Sequence, residues 1–159
     1  MKLYHGSNTY IDNIDLDRCN LYKDFGRAFY LTEYKDQAIT IANSKVSLFG
    51  GEIVINKYEF DDRILKDGTL TFISFNGYTE DWADFIFKNR DDSVMPPYQH
   101  GFDVVFGPIA NDRVGMQIRN FRMGNIDKSE FLNRLKFMKG LTFQWAFCTQ
   151  KAINCLRKI

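Results

Sequence analysis

The stretch Asp24-Phe-Gly-Arg-Ala-Phe-Tyr-Leu-Thr-Glu-Tyr-Lys-Asp-Gln-Ala38 carries the clearest structural signal in this sequence. It begins with a glycine turn, and the apolar run 28–32 that follows predicts a short strand. Ala38, Ile41 and Ala42 then recur at helical spacing. This spacing predicts a helix that buries the face carrying these three residues. The stretch therefore predicts a turn, a strand and a helix in direct succession.

Two aromatic residues, Phe29 and Tyr30, stand near the end of this strand and close to the start of the helix. Thr32 follows them, and its hydroxyl can cap the helix by accepting a hydrogen bond from a free N–H of the first turn. Most aromatic pairs of this kind belong to a hydrophobic core. A second segment, Leu3-Tyr-His-Gly-Ser7, favours a binding site over a core position for this pair, because it predicts a strand with a histidine beside a glycine turn. Together the two segments predict the rim of a cleft.

The composition is typical of a folded chain without a strong charge bias. The 159 residues are 45% hydrophobic and 16% aromatic, with a formal net charge of +1. This length predicts one domain over residues 1–159, and the near-neutral charge argues against a general nucleic-acid coat. The cysteines lack metal-like spacing, which predicts reduced thiols and no metal site. No long apolar run opens the chain, so we expect a cytoplasmic protein without a signal peptide or membrane span.

The rest of the chain mixes strand and helix signals without strict alternation. β-Rich apolar runs predict strands at residues 2–7, 49–60, 102–109 and 141–147. Helical spacing and cap residues predict helices at 79–90, 111–123 and 127–138, with a short closing helix or turn at 149–156. Thr79 is the expected cap of the first of these helices, and Asp127-Lys-Ser-Glu130 reads as a capping box. This mixture predicts the α+β class.

Five short motifs, in the same order, resemble those of ADP-ribosyltransferases of the diphtheria-toxin type. They are Leu3-Tyr-His-Gly-Ser7, Asp24-Phe-Gly-Arg-Ala-Phe-Tyr-Leu-Thr32, Asp81-Trp-Ala-Asp-Phe85, Asp103-Val-Val-Phe-Gly-Pro-Ile-Ala-Asn-Asp112 and Gln144-Trp-Ala-Phe-Cys-Thr149. The chain is most similar to small bacterial proteins of that superfamily that carry glutamine in the third catalytic motif. This similarity covers nearly the whole chain. The resemblance implies a split, mixed and antiparallel β-sheet core with flanking helices.

The resemblance also implies an activity, namely NAD-dependent mono-ADP-ribosyl transfer without a metal. In such enzymes the histidine, here His5, holds the adenine-side ribose, and Gly6 offers backbone groups to the nicotinamide amide. Tyr30 would stack on the nicotinamide ring, because a flat apolar ring suits a protected slot. Gln144 would orient the reacting ribose. The resemblance places further side chains at the NAD site: Ser7, Phe29, Thr32 and Ile41.

The sequence departs from the superfamily pattern at two functional positions. The second aromatic that sandwiches nicotinamide aligns with Ile41, which predicts weaker stacking. Gln144 stands where well-studied transferases have a glutamate, and an amide brings no negative charge to a cationic transition state. The resemblance also assigns acceptor choice to Thr142, and a threonine there argues against arginine as the acceptor.

These candidate residues also have plain structural interpretations. His5 can be a histidine hydrogen-bonded at a strand end, and Tyr30 can belong to the core. Arg90 can contact a pyrophosphate or can be a solvated cation at a helix end. Two classes of function therefore stay open beside a purely structural protein: a transferase, and a module that binds NAD or ADP-ribose with little or no turnover. Relatives are often encoded beside small antitoxin genes, so the resemblance implies a bacterial toxin with NAD, a macromolecular acceptor and an antitoxin protein as partners.

Overall fold

Strands and helices are distributed along the whole chain in the computed structural model, which describes residues 1–159. The strands are β1 (Lys2–Ser7), β2 (Phe29–Leu31), β3 (Val54–Phe60), β4 (Phe72–Ser74), β5 (Val104–Pro108), β6 (Phe143–Phe147) and β7 (Leu156–Lys158). The α-helices are α1 (Lys35–Phe49), α2 (Glu80–Arg90), α3 (Asp112–Arg122), α4 (Lys128–Lys136) and α5 (Gln150–Ile153). No helix combines the length and apolar character that crossing a membrane requires.

The strands form two sheets that meet at one point. The smaller sheet has the order β1-β3-β7 with antiparallel pairs, and the larger has the order β2-β6-β5-β4. In the larger sheet only the β4–β5 pair is parallel. Tyr4 and Thr32 join the sheets through a pair of backbone hydrogen bonds of 2.8 and 2.9 Å. The predicted α+β class, with mixed and antiparallel sheets, is confirmed.

The larger sheet is buried on both faces. Phe29 and Leu31 point from β2 into a cluster between the two sheets, whereas Tyr30 points to the opposite face, as strand alternation requires. On that opposite face, α2, α3 and α4 cover β5 and β6. The buried side chains that they contribute include Trp82, Ile86, Val105, Val114, Ile118, Phe131, Leu135 and Ala146. The site-bearing strand β2 is therefore held between two hydrophobic clusters.

The predicted helix starts are largely confirmed. Thr79 accepts a hydrogen bond from the Trp82 N–H at 3.2 Å and caps α2. Asp127 accepts from the Glu130 N–H at 2.8 Å and caps α4. The side chain of Glu130 binds Arg134 instead of returning to the cap, so only half of the predicted capping box forms. A nearby arginine offers that carboxylate a stronger, charge-assisted partner.

The prediction for Thr32 and its helix needs correction. The cap position of α1 is Tyr34, and Thr32 accepts a hydrogen bond from the Tyr34 N–H at 3.1 Å rather than from the first turn. Ala38 and Ala42 are fully buried, as predicted, but the side chain of Ile41 is 39% exposed. The buried face of α1 is therefore narrower than the spacing suggests.

Two other predicted segments end differently in the structure. The strand expected from residue 49 begins at Val54, because α1 continues to Phe49 and then ends at two glycines with φ values of 73° and 93°. Only glycine readily adopts such positive φ values. The closing segment contains α5 as expected, but the chain then forms β7, which pairs with β3. This pairing adds the C-terminal strand to the smaller sheet.

Candidate functional site

The candidate site lies where β1 and β2, the adjacent edge strands of the two sheets, separate beyond the Tyr4–Thr32 bridge. In an antiparallel strand, successive residues point their N–H and C=O groups to opposite edges. Tyr4 directs both groups to Thr32, so Gly6 directs its own groups to the same edge, away from β3. Beyond the bridge that edge has no strand partner. The peptide groups of Gly6, a buried residue, therefore point into the gap between β1 and β2 rather than towards β3.

Gly6 also has a structural role. A Cβ atom at this position would lie 1.9 Å from the carbonyl oxygen of Ala38 and 2.9 Å from the backbone nitrogen of Ala42. Helix α1 thus packs directly on the backbone of β1, and only a glycine permits this approach. The glycine keeps α1 fixed against the floor of the candidate site.

The side chain of His5 crosses the gap between the sheets. Its Nδ1 atom lies 2.7 Å from the carbonyl oxygen of Tyr30, and its Nε2 atom lies 3.3 Å from Nζ of Lys45. A carbonyl oxygen only accepts hydrogen bonds, so Nδ1 carries the proton. Nε2 is then an acceptor and receives a hydrogen bond from the Lys45 ammonium. The His5 ring also stacks on Phe29, with 4.4 Å between ring centroids.

The environment of His5 favours the neutral imidazole. Burial, followed by the positive charge of Lys45, lowers its pKa to about 4, although the hydrogen bond to Tyr30 opposes this shift. At neutral pH the ring therefore carries an unprotonated Nε2 atom, whose partner is the ammonium group of Lys45. A neutral acceptor of this kind is suited to binding a hydroxyl group.

Tyr30 is fixed by its hydroxyl group. The hydroxyl donates to the carbonyl oxygen of Gly26 at 2.7 Å and accepts from the N–H of Phe25 at 3.1 Å. Burial is the main cause that raises the pKa of Tyr30 well above its ordinary value, so the hydroxyl stays protonated. The ring packs against the hydrophobic cluster beneath α2, α3 and α4, and the residue as a whole remains partly exposed.

The side chains of Ser7, Phe29 and Thr32 are buried and support the site from behind. Each is at most 5% exposed. Phe29 lies between the His5 ring and the edge of Tyr58, whose ring it contacts in a T-shaped arrangement at 5.5 Å. The Thr32 hydroxyl donates to the side-chain oxygen of Gln37 at 2.9 Å. These residues hold the two strands in place and offer a ligand little surface.

Ile41 and Thr142 lie at the surface. Ile41 is on α1, the helix that packs on Gly6. Thr142 precedes β6, and its carbonyl oxygen accepts a hydrogen bond from the N–H of Ile109 at 2.8 Å. Both side chains are accessible from solvent.

Gln144, on β6, is brought towards Tyr30 by the pairing of β2 with β6. Tyr30 is paired with Ala146, so Gln144 lies two residues further along the same face. Its Nε2 atom donates to Oδ2 of Asp24 at 3.2 Å. His5, Tyr30 and Gln144 thus lie on three different strands, β1, β2 and β6; His5 contacts the backbone carbonyl of Tyr30, and Gln144 shares a face of the larger sheet with the Tyr30 side chain.

Asp24, like Lys45, is a residue of this site that the sequence did not single out. Its side chain is 7% exposed, and its Oδ2 atom also accepts from the N–H of Ala110 at 3.0 Å. Its Oδ1 atom accepts from both Nε and Nη2 of Arg90, with the Nε contact at 2.8 Å. Two features of the sequence point to the Asp24–Arg90 pair. Asp24 is an acidic residue immediately before an apolar motif, and Arg90 stands at the end of a predicted helix.

This ion pair corrects the expectation for Arg90. Its side chain is 28% exposed, and both of the interactions with Asp24 are made by the guanidinium group. Arg90 is therefore neither a solvated helix-end cation nor free to bind a pyrophosphate. It neutralises a buried carboxylate instead, which a buried charge requires.

A glycine on β5 allows Asp24 to reach Gln144. Gly107 is paired with Gln144, and a Cβ atom at Gly107 would lie 2.9 Å from Cζ of Phe25. The Phe25 ring therefore rests directly on the strand backbone. Because Phe25 follows Asp24 in the chain, the contact of Phe25 with Gly107 places Asp24 close to the larger sheet, within reach of Gln144.

A positively charged cavity of about 680 Å³ lies close to Lys45. Its lining consists of residues 17–23 and Arg27. It includes the cations Arg18 and Lys23, whereas Arg27 is paired with Asp17 at 2.6 Å. Burial and the charge of Lys23 lower the pKa of Lys45, so the two ammonium groups are near each other. Lys45 has no carboxylate within ion-pair distance. A partly buried cation without an acidic partner is a suitable contact for an anion.

The cysteines are free thiols. Cys148 lies near Tyr30, and Cys19 lines the cavity near Lys45. Burial raises the pKa of Cys148 to about 12, which makes its thiol unreactive at neutral pH. No three side chains of His, Cys, Asp or Glu come together in a way that could hold a metal ion.

Comparison with known proteins places the chain in a family. A family model described as "Protein of unknown function (DUF3990)" matches residues 1–158. The chain belongs to this family. No curated protein and no solved structure matches the chain. The DUF3990 match includes the strands that carry His5, Tyr30 and Gln144, so the whole candidate site lies within the family domain.

Proposed function

We propose that the protein is a NAD-dependent mono-ADP-ribosyltransferase that binds NAD where β1 and β2 separate. The observation that carries the proposal is the bridge from His5 to Tyr30 across the gap, with Nδ1 2.7 Å from the carbonyl oxygen. This contact fixes the histidine tautomer and sets two motif residues side by side. The sequence motifs that resemble diphtheria-type transferases agree with this pairing.

Each part of the site suits one part of NAD. The peptide groups of Gly6 that point into the gap can bind the nicotinamide amide, and the held ring of Tyr30 can stack on the nicotinamide. Nε2 of His5 can accept a hydrogen bond from a ribose hydroxyl once Lys45 turns away from it. The cationic cavity beside Lys45 suits the pyrophosphate, a role that Arg90 cannot fill while it pairs with Asp24.

The reaction follows from the electronics of NAD. The bond between the ribose carbon and the nicotinamide nitrogen breaks, its electron pair leaves with nicotinamide, and positive charge develops on the ribose. A nucleophile on the acceptor then bonds to that carbon and loses its proton. Gln144 orients a ribose hydroxyl beside the reacting carbon. The motif resemblance supports a toxin that modifies a macromolecule and is neutralised by an antitoxin protein.

A binding module for NAD or ADP-ribose is the second candidate. It is favoured by one observation: the carboxylate nearest to Gln144 is Asp24, and its charge is already neutralised by Arg90. Such a site offers limited electrostatic stabilisation to a cationic transition state. In this case NAD would bind at the same place without efficient turnover.

Transfer of label from NAD tagged on its adenine ring, with bacterial lysate as acceptor, distinguishes the two candidates. We expect a labelled macromolecule with the wild-type protein and none with His5→Ala or Tyr30→Ala. Tyr10→Ala is the matched control, because Tyr10 is 62% exposed and contacts Lys158 instead of the site. Equal labelling by all four proteins would refute the proposed site.

Thermal unfolding with and without NAD completes the test, because a ligand of the folded state raises its apparent stability. Stabilisation without labelling would favour the binding module. Gln144→Ala should lower turnover more than NAD stabilisation, whereas Gln150→Ala, which removes an exposed glutamine, should change neither. No NAD stabilisation and no labelling by the wild-type protein would refute both candidates.

A further inference from the structure

We propose that Asp24 is a positioning residue that orients the amide of Gln144, so that its Oε1 atom faces the candidate site. This inference rests on the proposed function, in which Gln144 holds a ribose hydroxyl. A glutamine amide has an acceptor end and a donor end, and its hydrogen-bond partners decide which end points where. Here the inner partner is the carboxylate oxygen Oδ2 of Asp24, 3.2 Å from Nε2.

The surroundings of Asp24 allow only this orientation. The carboxylate is paired with Arg90 and also accepts the N–H of Ala110, so it offers only acceptors to Gln144. A flipped amide would place its oxygen against the carboxylate oxygen of Asp24, and two acceptors in contact repel each other. The NH2 group must therefore face inward. Oε1, which accepts no hydrogen bond from the protein, is left for a ligand.

Asp24 also changes the strength of that acceptor. Donation from an amide N–H to a carboxylate polarises the amide and increases the electron density on its oxygen. Oε1 of Gln144 is therefore a stronger acceptor than the oxygen of an amide that donates to water, although the pairing of Asp24 with Arg90 reduces the effect. This arrangement gives the glutamine some of the character of the glutamate that the superfamily pattern places there.

The pair has a consequence for substitutions at position 144. In Gln144→Glu, a second carboxylate would lie about as close to Asp24 as the present amide does, and two such carboxylates do not both ionise readily. Glutamate alone is therefore incompatible with Asp24. Asp24→Asn combined with Gln144→Glu restores the match, because an asparagine NH2 group can donate to the new carboxylate.

Steady-state NAD cleavage by the wild type, the two single variants and the double variant tests this inference as a double-mutant cycle. We expect Asp24→Asn to lower kcat about tenfold with little change in KM, as for a lost charge-assisted hydrogen bond. Gln144→Glu alone should also lose activity, and the double variant should exceed both single variants. Additive effects, or an Asp24→Asn variant with wild-type kcat, would overturn the inference.

Two further measurements separate this role from a structural one and from failure of the proposed function. Asp103→Asn is the matched control: Asp103 is also a buried carboxylate, but it binds Thr71 and Thr149 and should affect stability without affecting kcat. In the wild-type protein without NAD, NMR should show the Gln144 side-chain NH2 protons close to the Asp24 Cβ protons. If no NMR contact is seen between these two sets of protons, the inference is overturned. If the contact is seen but the protein does not turn over NAD, only the proposed function is refuted.

Discussion

The buried histidine predicts how the stability of the protein depends on pH. His5 has a pKa of about 4 in the folded protein, whereas an unfolded histidine has a pKa near 6.5. Between these values the unfolded state binds more protons, so the free energy of unfolding rises with pH. The stabilising effect of the neutral ring is complete above pH 6.5 and is lost as the pH falls towards 4. The difference in pKa corresponds to at most about 3 kcal/mol.

The substitution His5→Gln removes the titrating group while keeping a side chain that can hydrogen-bond. We expect the wild-type protein to lose stability relative to His5→Gln between pH 6.5 and pH 4, by up to about 3 kcal/mol. Urea unfolding at several pH values, monitored by tryptophan fluorescence, measures this difference. The reasoning fails if the difference in unfolding free energy is the same at pH 7 and pH 4.5.

The second histidine provides the control for this experiment. Burial also lowers the pKa of His100, which accepts the Phe102 N–H and lies 3.2 Å from the Phe25 carbonyl oxygen. The comparison is therefore made in a His100→Gln background, where His5 is the only histidine. NMR titration of the ring protons should then give one pKa near 4. A value at or above 6.5 would contradict the assigned environment.

Three substitutions test other contacts of the site. Lys45→Met should raise the pKa of His5 only in part, because burial is the larger cause; an NMR titration that shows no change would exclude contact between the two groups. Gly6→Ala should lower the free energy of unfolding by several kcal/mol, because a Cβ atom would lie 1.9 Å from the carbonyl oxygen of Ala38. Urea unfolding measures this loss of stability. Tyr30→Phe keeps the ring but removes two hydrogen bonds; it should lose about 1–3 kcal/mol of stability while NAD binding, measured by calorimetry, stays close to that of the wild type.

Much of the fold could be predicted from local sequence signals. The Thr79 cap and the apolar face of α2 lie within a few residues of each other, as do the parts of the turn, strand and helix unit after Asp24. The short strands β4 and β7 could not be predicted in this way. Each has three residues, too few for a periodic pattern, and each forms only because a distant strand accepts its hydrogen bonds.

The candidate site shows the same division between local and distant information. His5 and Tyr30 could be singled out because each stands in a distinctive short motif. The contact between Asp24 and Gln144 joins residues 120 positions apart, and Lys45 meets His5 across 40 positions. Neither contact leaves a local pattern, because each depends on how a loop or helix packs on a sheet. The role of Asp24 therefore became visible only with the structure.

Titration of the isotope-labelled protein with NAD, followed by NMR, tests the central claim most directly. Binding where β1 and β2 separate predicts progressive shifts of the Gly6 amide, the His5 ring and the Gln144 side-chain amide. His5→Ala should abolish the shifts at Gly6, whereas Tyr10→Ala should leave them intact. If millimolar NAD leaves these signals unchanged, or shifts only signals remote from them, the protein does not bind NAD at this cleft.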